Sequence, residues 1–555
     1  MVSKKIAMPE KTDDVVELGR TSSREEGDTS VITMPAQAID SAGFQRRLTK
    51  RQIMMMTFGA GIGTGLWVGT GTALKAAGPG GIAVAYTVQA FIVWTLYMSI
   101  GEMATYRPVH GGFIRQAAEY VDPALGFAEG INFWFSWVMI IPAEITAAVS
   151  VLKFWDGWDK IPLAGYITLF LFVTAIPNVF PVRIYGHFEY VMSWFKILAI
   201  FVMIAYMFIM ASGGVYTTHG PLVFHYWKDP GAFTDMKGLA KAFVQAAFSF
   251  GSAQHIAIIA GEAVSPRKTV KSVIMPIFWR IFTFFILNIW LVGMCVPYNN
   301  DDLVNGSGTL GSPFVIALKL GNQMWLANTI NGFIFLTVIS CGVTSFYISS
   351  RSLTALADIA LIHPIFGKKD SWGRPWLAMI LSGGIGGGLC YLNTNSTAIE
   401  VYNWFSSLVA IATFMSWLSM LVTHICFRRA IKAQGIDHKT LSFKAPCAPY
   451  FQYLSIAIIF FIAGCEFYLA LYGAGEPTAK QFFSVYLACP LFIFDLVVYK
   501  LYYKTKMVKP EAVDFSEAKM FDEEEKLERE AEEASGKKPG RKCDPVQTAK
   551  NLIMG

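Results

Sequence analysis

The amino-acid sequence predicts an all-α integral membrane protein with about twelve transmembrane helices. Charged residues make up only 15% of the chain and hydrophobic residues 54%, whereas soluble proteins carry about 25% charged residues. Apolar runs recur along the chain, and about 20 apolar residues suffice to cross the hydrocarbon core of a bilayer. The predicted spans are 52–75, 80–104, 122–152, 161–181, 188–211, 237–262, 273–296, 323–352, 376–393, 398–427, 449–473 and 480–503.

Two polar tails flank the predicted membrane domain. We expect a disordered cytosolic N-terminal tail over residues 1–45, one transmembrane domain over 46–506, and a cytosolic C-terminal tail over 507–555. The first tail is rich in Ser, Thr, Asp and Glu and lacks the apolar core of a cleavable signal peptide. Composition leaves two interpretations open. The tails either keep the chain ends soluble or also serve trafficking, for example by contacting ubiquitin-ligase adaptors through Lys4 and Lys5.

Basic residues collect in alternate loops between the predicted spans. By the positive-inside rule, this asymmetry places both termini in the cytosol. The net charge of +6 therefore reflects membrane orientation, and no nucleic-acid partner is expected. The predicted inside groups include Arg46 with Arg47, Arg267 with Lys268, Lys271 and Arg280, and Arg428 with Arg429.

The first apolar run contains the most unusual local pattern, with glycine at 59, 61, 63, 65, 69 and 71. Glycine frays helices, and unpaired backbone groups in hydrocarbon are tolerated only where they line a polar cavity or pack closely. One interpretation is helix packing, because Gly59 and Gly63 satisfy the GxxxG spacing. The other is a helix broken at Ile62-Gly63-Thr64-Gly65, whose free N–H groups hold a small anion such as a carboxylate.

A second interruption favours the broken-helix interpretation. Small and polar residues, Phe248-Ser249-Phe250-Gly251-Ser252-Ala253-Gln254, interrupt the sixth span. Paired interruptions in corresponding positions of two halves are the sequence pattern of a binding site between repeats. Spans 1–5 and 6–10 are then two inverted repeats, with spans 11 and 12 appended. A nucleotide-binding glycine loop is excluded, because no predicted strand precedes the motif.

Ionisable residues inside the spans are candidates for function, because charge is costly in a membrane. Glu144, midway along the third span, is either a pocket residue that titrates during transport or a structural partner. Lys196, in the fifth span, is either a coupling group or an ion-paired or snorkelling lysine. Glu102 and Glu262 lie near predicted cytosolic span ends, where ion pairs or helix caps with loop arginines are expected.

Several motifs occur in a specific order along the membrane domain. They include Ile62-Gly63-Thr64-Gly65-Leu66, Gly101-Glu102-Met103-Ala104-Thr105, Val182-Arg183-Ile184-Tyr185-Gly186, Gly261-Glu262-Ala263, Gly373-Arg374-Pro375-Trp376 and Lys444-Ala445-Pro446. Through these motifs the chain resembles the fungal amino acid permeases of the amino acid–polyamine–organocation superfamily. The resemblance implies a LeuT-like 5+5 inverted repeat with helices 1 and 6 broken, followed by helices 11 and 12. It also implies proton-coupled uptake of amino acids across the plasma membrane.

The resemblance also assigns roles to site residues. Backbone amides at the first break hold the substrate carboxylate in the family, and the matching residues here are Ile62, Gly63, Thr64 and Gly65. Carbonyls at the second break hold the substrate ammonium, and the matching residues are Phe248, Ser249 and Gly251. Glu144 resembles the third-span carboxylate that faces the substrate. Lys196 matches the fifth-span lysine, whose ammonium stands near the sodium site of sodium-driven relatives and is implied to couple transport to protons.

One departure from the family pattern concerns the substrate. The family usually has a glutamate at the end of the second break, where this chain has Gln254, followed by His255. Gln254 is therefore a candidate for substrate selectivity, and the substrate is either an amino acid or a related amine. His255 is interpreted as a core histidine or a proton carrier.

Three classes of function are compared. A secondary active transporter needs an amino acid, protons and the bilayer as partners. An amino-acid-sensing receptor uses the same binding site but transports little. A membrane-embedded enzyme is not expected, because the chain has no HExxH or GxSxG motif. The eight cysteines form no CxxC pair or Cys/His cluster, so neither a metal nor a cofactor is expected.

Overall fold

The structure is a computed structural model. It describes residues 59, 61–108, 111–218, 220–251, 272, 274, 276, 279–304, 311–394, 397–438, 441–472 and 479–519 of the chain. Gln254, His255 and Glu262 lie outside the described residues.

Across these ranges the regular secondary structure is helical. The longer α-helices are α1 (Thr70–Tyr106), α2 (Gly112–Tyr120), α3 (Pro123–Leu152), α4 (Leu163–Val179), α5 (Val182–Ala211), α6 (Met236–Phe250), α7 (Asn288–Cys295), α8 (Pro313–Leu320), α9 (Met324–Asp358), α10 (Trp376–Cys390), α11 (Ala398–Ala433), α12 (Tyr450–Tyr472), α13 (Ala479–Tyr486) and α14 (Ala488–Tyr503). A π-helical segment, Gly65–Gly69, leads into α1, and a second, Ile281–Leu287, leads into α7.

The prediction of a multi-pass membrane protein is confirmed. By length and composition, 7 helices of the described chain can cross a membrane, and Leu163–Val179 and Ile281–Cys295 are shorter apolar helices. The seven are Gly65–Tyr106, Pro123–Leu152, Ile184–Ala211, Met324–Asp358, Trp376–Thr394, Ala398–Ala433 and Tyr450–Tyr472. The count of about twelve spans and the inverted repeat stay predictions.

The longest of these segments contains a sharp bend. Gly78 has φ +74°, and Pro79 follows it. A left-handed backbone favours glycine, and proline cannot donate to the preceding turn. The bend therefore divides Gly65–Tyr106 into two legs, which correspond to the separately predicted spans 52–75 and 80–104.

Helix α3 lies at the centre of the bundle, where it packs against α9, α11 and α14. The bundle exposes large apolar side chains on its outside, including Phe172 of α4, Leu198 of α5 and Phe460 of α12. In water such a surface would drive aggregation, whereas lipid is as apolar as these side chains. Several buried polar groups accordingly lie between helices and have partners there, as Asn132 and Glu102 do.

A short segment after the last helix packs against the bundle. We call residues 508–519 the tail segment. Its side chains Val513 and Phe515 are buried against Tyr120 and Phe427. The N–H of Val508 donates to the carbonyl of Val121 at 2.8 Å. The sequence analysis treated everything after residue 506 as a polar tail, so this docking is a finding of the structure.

Glu517 of the tail segment completes a network with two arginines. Its carboxylate accepts from Arg107 Nε at 2.9 Å and from Arg115 Nη2 at 2.8 Å. Glu119 pairs with the same two arginines, at 2.5 and 2.7 Å. Both arginines are buried, at 3% and 6% exposure. The network therefore joins the end of α1, helix α2 and the tail segment.

Replacing Glu517 by Gln removes a carboxylate that compensates two buried cations. Because hydrogen bonds to charged groups are worth about 1.5–3 kcal/mol, we expect the free energy of unfolding to fall by about that amount. The measurement is thermal unfolding of the purified protein in detergent. Glu511→Gln, at an exposed glutamate of the same segment, is the matched control and should leave the Tm unchanged.

The effect of Glu517 should also depend on pH. Burial disfavours its ionised form, but Arg107 and Arg115 outweigh burial and lower its pKa below the ordinary 4.5. A carboxylate with a lowered pKa stabilises the fold above its unfolded-state pKa and loses this contribution as pH falls through the folded value. The Tm difference between the wild type and Glu517→Gln should therefore be largest at neutral pH and should decrease as the pH falls into the acid range. A difference that persists in acid would contradict the ion-pair explanation.

Candidate functional site

The first predicted break is present in the backbone. The chain turns at Gly61, bends at Gly63 and resumes as a helix at Thr64, before the π-helical segment Gly65–Gly69. The carbonyl of Gly63 accepts from Leu66 and from Trp67, each at 3.2 Å. The first N–H groups of any helix have no acceptor within it, and π segments are frequent at functional sites. Gly63, Thr64 and Gly65 thus stand where a helix offers backbone donors.

The sixth predicted span is helical from Met236 into the predicted interruption at 248–254, whose first three residues belong to the helix and whose residues 252–254 lie outside the described residues. Helix α6 ends at Phe250, and the N–H of Gly251 donates to the carbonyl of Phe248 at 3.1 Å. The last carbonyls of a helix have no donor within it. Phe248, Ser249 and Gly251 therefore stand at a helix end of opposite polarity to the start at Thr64.

The two helix ends contact each other at Gly65 and Ser249. A Cβ on Gly65 would lie 2.5 Å from Ser249 Cα and 2.9 Å from its Oγ. The Ser249 hydroxyl donates to the carbonyl of Gln245 at 2.9 Å and lies 2.9 Å from the Tyr86 hydroxyl. Tyr86 belongs to the second leg of α1, so this leg also fixes the contact.

A cavity of about 50 Å³ lies beside this contact. By the same measure one water needs about 10–15 Å³, so the cavity has room for several small groups. Its lining includes Gly63, Thr64, Gly65, Glu144, Lys196, Phe248, Ser249 and Gly251, all of which the sequence analysis selected. Ile62 is fully buried and is not part of this lining, although its carbonyl accepts from the Cys341 thiol at 3.6 Å.

Glu144 presents one unused oxygen to this site. Thr64 donates its hydroxyl to Glu144 Oε1 at 2.8 Å. Within the described chain, Glu144 Oε2 has no hydrogen-bond partner, and the residue is 4% exposed. A buried carboxylate oxygen without a donor is unfavourable. The geometry therefore suits the binding of a proton or an ammonium group at Oε2.

Lys196 forms an ion pair that the sequence analysis did not identify. Its Nζ lies 3.3 Å from Glu189 Oε1 and donates to the carbonyl of Gly59 at 3.5 Å. The second Glu189 oxygen accepts from Ser340 at 2.9 Å and from Thr344 at 3.1 Å. The ion-paired interpretation of Lys196 is thus present in the geometry, and a coupling role stays a prediction.

Glu189 could have been found from its spacing. It precedes Lys196 by seven residues, which is about two helical turns and places both side chains on one face. The predicted fifth span began at residue 188, so Glu189 looked like a residue of the span boundary. The helix begins at Val182 instead, which moves Glu189 well inside it.

Arg280 corrects the assignment of basic residues to loops. It was counted among inside loop charges, but it is 4% exposed and donates to the Tyr97 hydroxyl. Its Cζ is 3.7 Å from the position of a Cβ on Gly61. A guanidinium therefore lies beside the first break.

The expected ion pair of Glu102 is confirmed. Arg428 donates from Nε and Nη2 to the two oxygens of Glu102, each at 2.8 Å. The N–H of Ala445 and the ring of His438 also contact this carboxylate, at 2.6 and 3.1 Å. Glu102 thus ties α1 to α11 and to the chain that follows α11.

The Gly65–Ser249 contact can be tested by adding a single methyl group. Gly65→Ala places a Cβ 2.5 Å from a backbone atom, and such overpacking typically lowers the free energy of unfolding by about 1–3 kcal/mol. Thermal unfolding in detergent measures this loss. Gly384→Ala is the matched control, because nothing lies within 4 Å of the added Cβ. Equal unfolding temperatures for the two variants would show that the close contact is absent.

Comparison with known proteins agrees with this geometry. A family model described as "Amino acid permease" matches residues 52–510. The dicarboxylic amino acid permease of Saccharomyces cerevisiae is 34% identical over 510 residues, covering 89% of this chain and 83% of the relative. The general amino-acid permease GAP1 of the same yeast is 34% identical, covering 82% and 77%. Its lysine-specific permease is 32% identical, covering 85% and 78%.

These relatives are permeases and not enzymes, and each spans most of the chain. The matched region contains both helix ends, the cavity and the charged residues around it. The chain belongs to the amino acid permease family.

Proposed function

We propose that the protein is a plasma-membrane secondary active transporter that imports an amino acid together with a proton by alternating access. Family membership supports amino acid transport. The observation that carries the proposal is a cavity in which a helix start, a helix end and the Glu144 carboxylate meet. The finer architecture we propose is a LeuT-like 5+5 inverted repeat followed by two helices. Both termini are then cytosolic, and ubiquitin-ligase adaptors are the proposed partners of the two tails, 1–45 and 507–555.

The two helix ends give the substrate an orientation. A substrate carboxylate is favoured at the N–H groups of Gly63, Thr64 and Gly65, because a helix start carries partial positive charge. A substrate ammonium is favoured at the carbonyl end of α6, near Phe248, Ser249 and Gly251, where the helix dipole is negative. The backbone thus binds the part that all amino acids share. Gln254 remains our candidate for recognising the substrate side chain, which differs between amino acids.

The fixed charges around the cavity support proton or cation binding. Lys196 supplies one positive charge, while Glu144 and Glu189 supply two carboxylates. With both carboxylates ionised, these three side chains carry one negative charge in excess, and the guanidinium of Arg280 lies on the Gly61 side of the cavity. A proton or a substrate ammonium at the open oxygen of Glu144 balances this excess.

Lys196 is the proposed coupling group. Its ammonium connects Glu189 on α5 with the carbonyl of Gly59, just before the first break. Loss of its proton would remove the charge that pairs with Glu189 and would weaken the hydrogen bond that holds α5 to this segment. The protonation state of Lys196 and the position of the first helix are therefore linked, which is the requirement for coupling.

Two other functions remain candidates. The open oxygen of Glu144 favours a substrate that carries an ammonium group, so a transporter of a related amine is the second candidate. An amino-acid-sensing receptor is the third and would use the same site. Amino acids and their decarboxylated amines can be compared as competitors of labelled substrate uptake. Stronger competition by amino acids indicates an amino acid transporter, and stronger competition by amines indicates an amine transporter. Accumulation of a labelled substrate against its gradient separates a transporter from a receptor.

Gly63→Leu tests the carboxylate site. A Cβ at this position would lie 3.1 Å from Cys341 Sγ and 3.9 Å from Glu144 Oε1, so a leucine side chain fills the cavity. We expect uptake of labelled amino acids to be lost while the protein still reaches the cell surface. Gly388→Leu is the control, because nothing lies within 4 Å of its added Cβ. Normal uptake by Gly63→Leu would show that the first break is not part of the binding site.

Lys196→Met tests coupling to protons. The wild type should accumulate substrate faster at lower outside pH, lose accumulation with a protonophore, and be unaffected when choline replaces sodium. Methionine keeps much of the apolar stem but has no ammonium, so the variant should still exchange substrate without accumulating it under a pH gradient. Lys160→Met, at an exposed lysine, should behave like the wild type. Sodium-dependent uptake by the wild type would refute proton symport. Full accumulation by Lys196→Met would show that a residue other than Lys196 couples transport to protons.

A further inference from the structure

Glu129 is a buried carboxylate to which the proposed transport mechanism assigns no role. It lies on α3, is 0% exposed, and neither of its oxygens has a hydrogen-bond partner among the described residues. Helix geometry places it about 22 Å along α3 from Glu144. An ionised carboxylate in such surroundings is strongly disfavoured unless a proton or another cation joins it. Its presence therefore requires a physical explanation.

A row of hydroxyl groups on α11 faces this carboxylate. The hydroxyl row consists of Thr413, Ser416, Ser419 and Thr423, whose spacing of three to four residues places them on one helix face. All four are at most 5% exposed. Asn132, which lies three residues after Glu129 and so on the same face of α3, donates to the Ser416 hydroxyl at 3.0 Å across the α3–α11 contact. The hydroxyls of Thr413 and Ser419 have no hydrogen-bond partner in the described chain.

The hydroxyl row begins at the candidate substrate site. Thr413 Oγ1 lies 3.3 Å from the position of a Cβ on Gly251, which lines the cavity. At the other end, His424 follows Thr423 and lies 3.6 Å from Glu102. Glu102 in turn contacts the ring of His438 at 3.1 Å, and this ring is 40% exposed. Polar groups thus extend from the cavity past Glu129 to the surface at the end of α11.

Several charged groups on the elements packed against α3 have partners of their own. Where the structure describes these elements, the pairs are Arg115 with Glu119 and Glu517 beside α2, Asp358 with Lys369 beside α9, Glu102 with His424 and Arg428 beside α11, and Lys500 of α14 with Asp122. Helix α14 also carries Asp495, one of whose oxygens has no partner in the described chain. The α14 side chain Tyr499 stacks on Phe127, at a ring distance of 4.5 Å. Phe127 lies two residues from Glu129 and hence on a different face of α3.

We propose that Glu129 is a second proton-binding group, which receives a proton from the substrate cavity along the hydroxyl row and releases it toward Glu102 and His438. Each hydroxyl can donate one hydrogen bond and accept another, as proton relay requires. The carboxylate gains one proton to become a neutral carboxyl and loses it again on release, so one proton passes per cycle. The inference rests on the proposed proton symport and adds a release path to it.

The experiment compares Glu129→Gln with Glu129→Asp in full-length protein reconstituted into liposomes. Labelled amino acid is supplied with an imposed pH gradient, and exchange of the same amino acid is measured without a gradient. Glu129→Gln should keep exchange, which shows that it is folded, and lose accumulation driven by the gradient. Glu129→Asp retains a carboxyl group and should accumulate substrate. Asp495→Asn is the matched control for loss of a carboxylate in the same domain and should behave like the wild type.

Infrared spectroscopy reports on the carboxyl group without any substrate. The wild type should show a carbonyl band of a protonated carboxyl that changes with pH and disappears in Glu129→Gln but not in Asp495→Asn. An unchanged band together with full accumulation in Glu129→Gln would overturn the inference. If the wild type ignores the pH gradient, proton symport fails. In that case the infrared band alone decides whether Glu129 binds a proton.

Discussion

The contact between Gly65 and Ser249 holds two helix ends together, and the surrounding architecture depends on it. A helix start and a helix end of opposite polarity meet there because one of the two residues has no side chain. Tyr86 fixes the contact from the second leg of α1, and Thr64 extends it to Glu144 on α3. Lys196 on α5 reaches the same segment through Gly59. Three further helical segments are thus positioned by a single close approach of backbone.

The buried charges divide into those that have partners and those that do not. Glu189 and Glu102 each accept several hydrogen bonds, and such groups join helices in a defined register. A buried ion pair contributes little net stability but penalises every arrangement that separates its members. Glu144 and Glu129 differ, because their open oxygens are satisfied by nothing in the described chain. Both lie on α3, the most buried of the seven described spans, so the two proposed proton-binding groups belong to one helix.

The sequence predicted the spans well where apolar runs are uninterrupted. Helix α3 was expected at 122–152 and is Pro123–Leu152, and α12 was expected at 449–473 and is Tyr450–Tyr472. The start of α5 was predicted at residue 188 and lies at Val182, because polar and charged residues interrupt the apolar run before residue 188. The backbone break was predictable, since glycine spacing is a local property. The partners of Lys196 and Arg280 were not, because pairing is decided by distant parts of the chain.

The docked tail segment has a consequence for biosynthesis. Arg107 and Arg115 lie 410 and 402 residues before Glu517, so most of the membrane bundle is synthesised before their last partner exists. Until then Glu119 alone compensates two buried cations, and the aromatic surface around Tyr120 and Phe427 lacks Phe515. An incomplete chain therefore exposes charge and apolar surface at one end of the bundle. Completion of translation closes that surface, which gives the cell a physical difference between finished and unfinished copies.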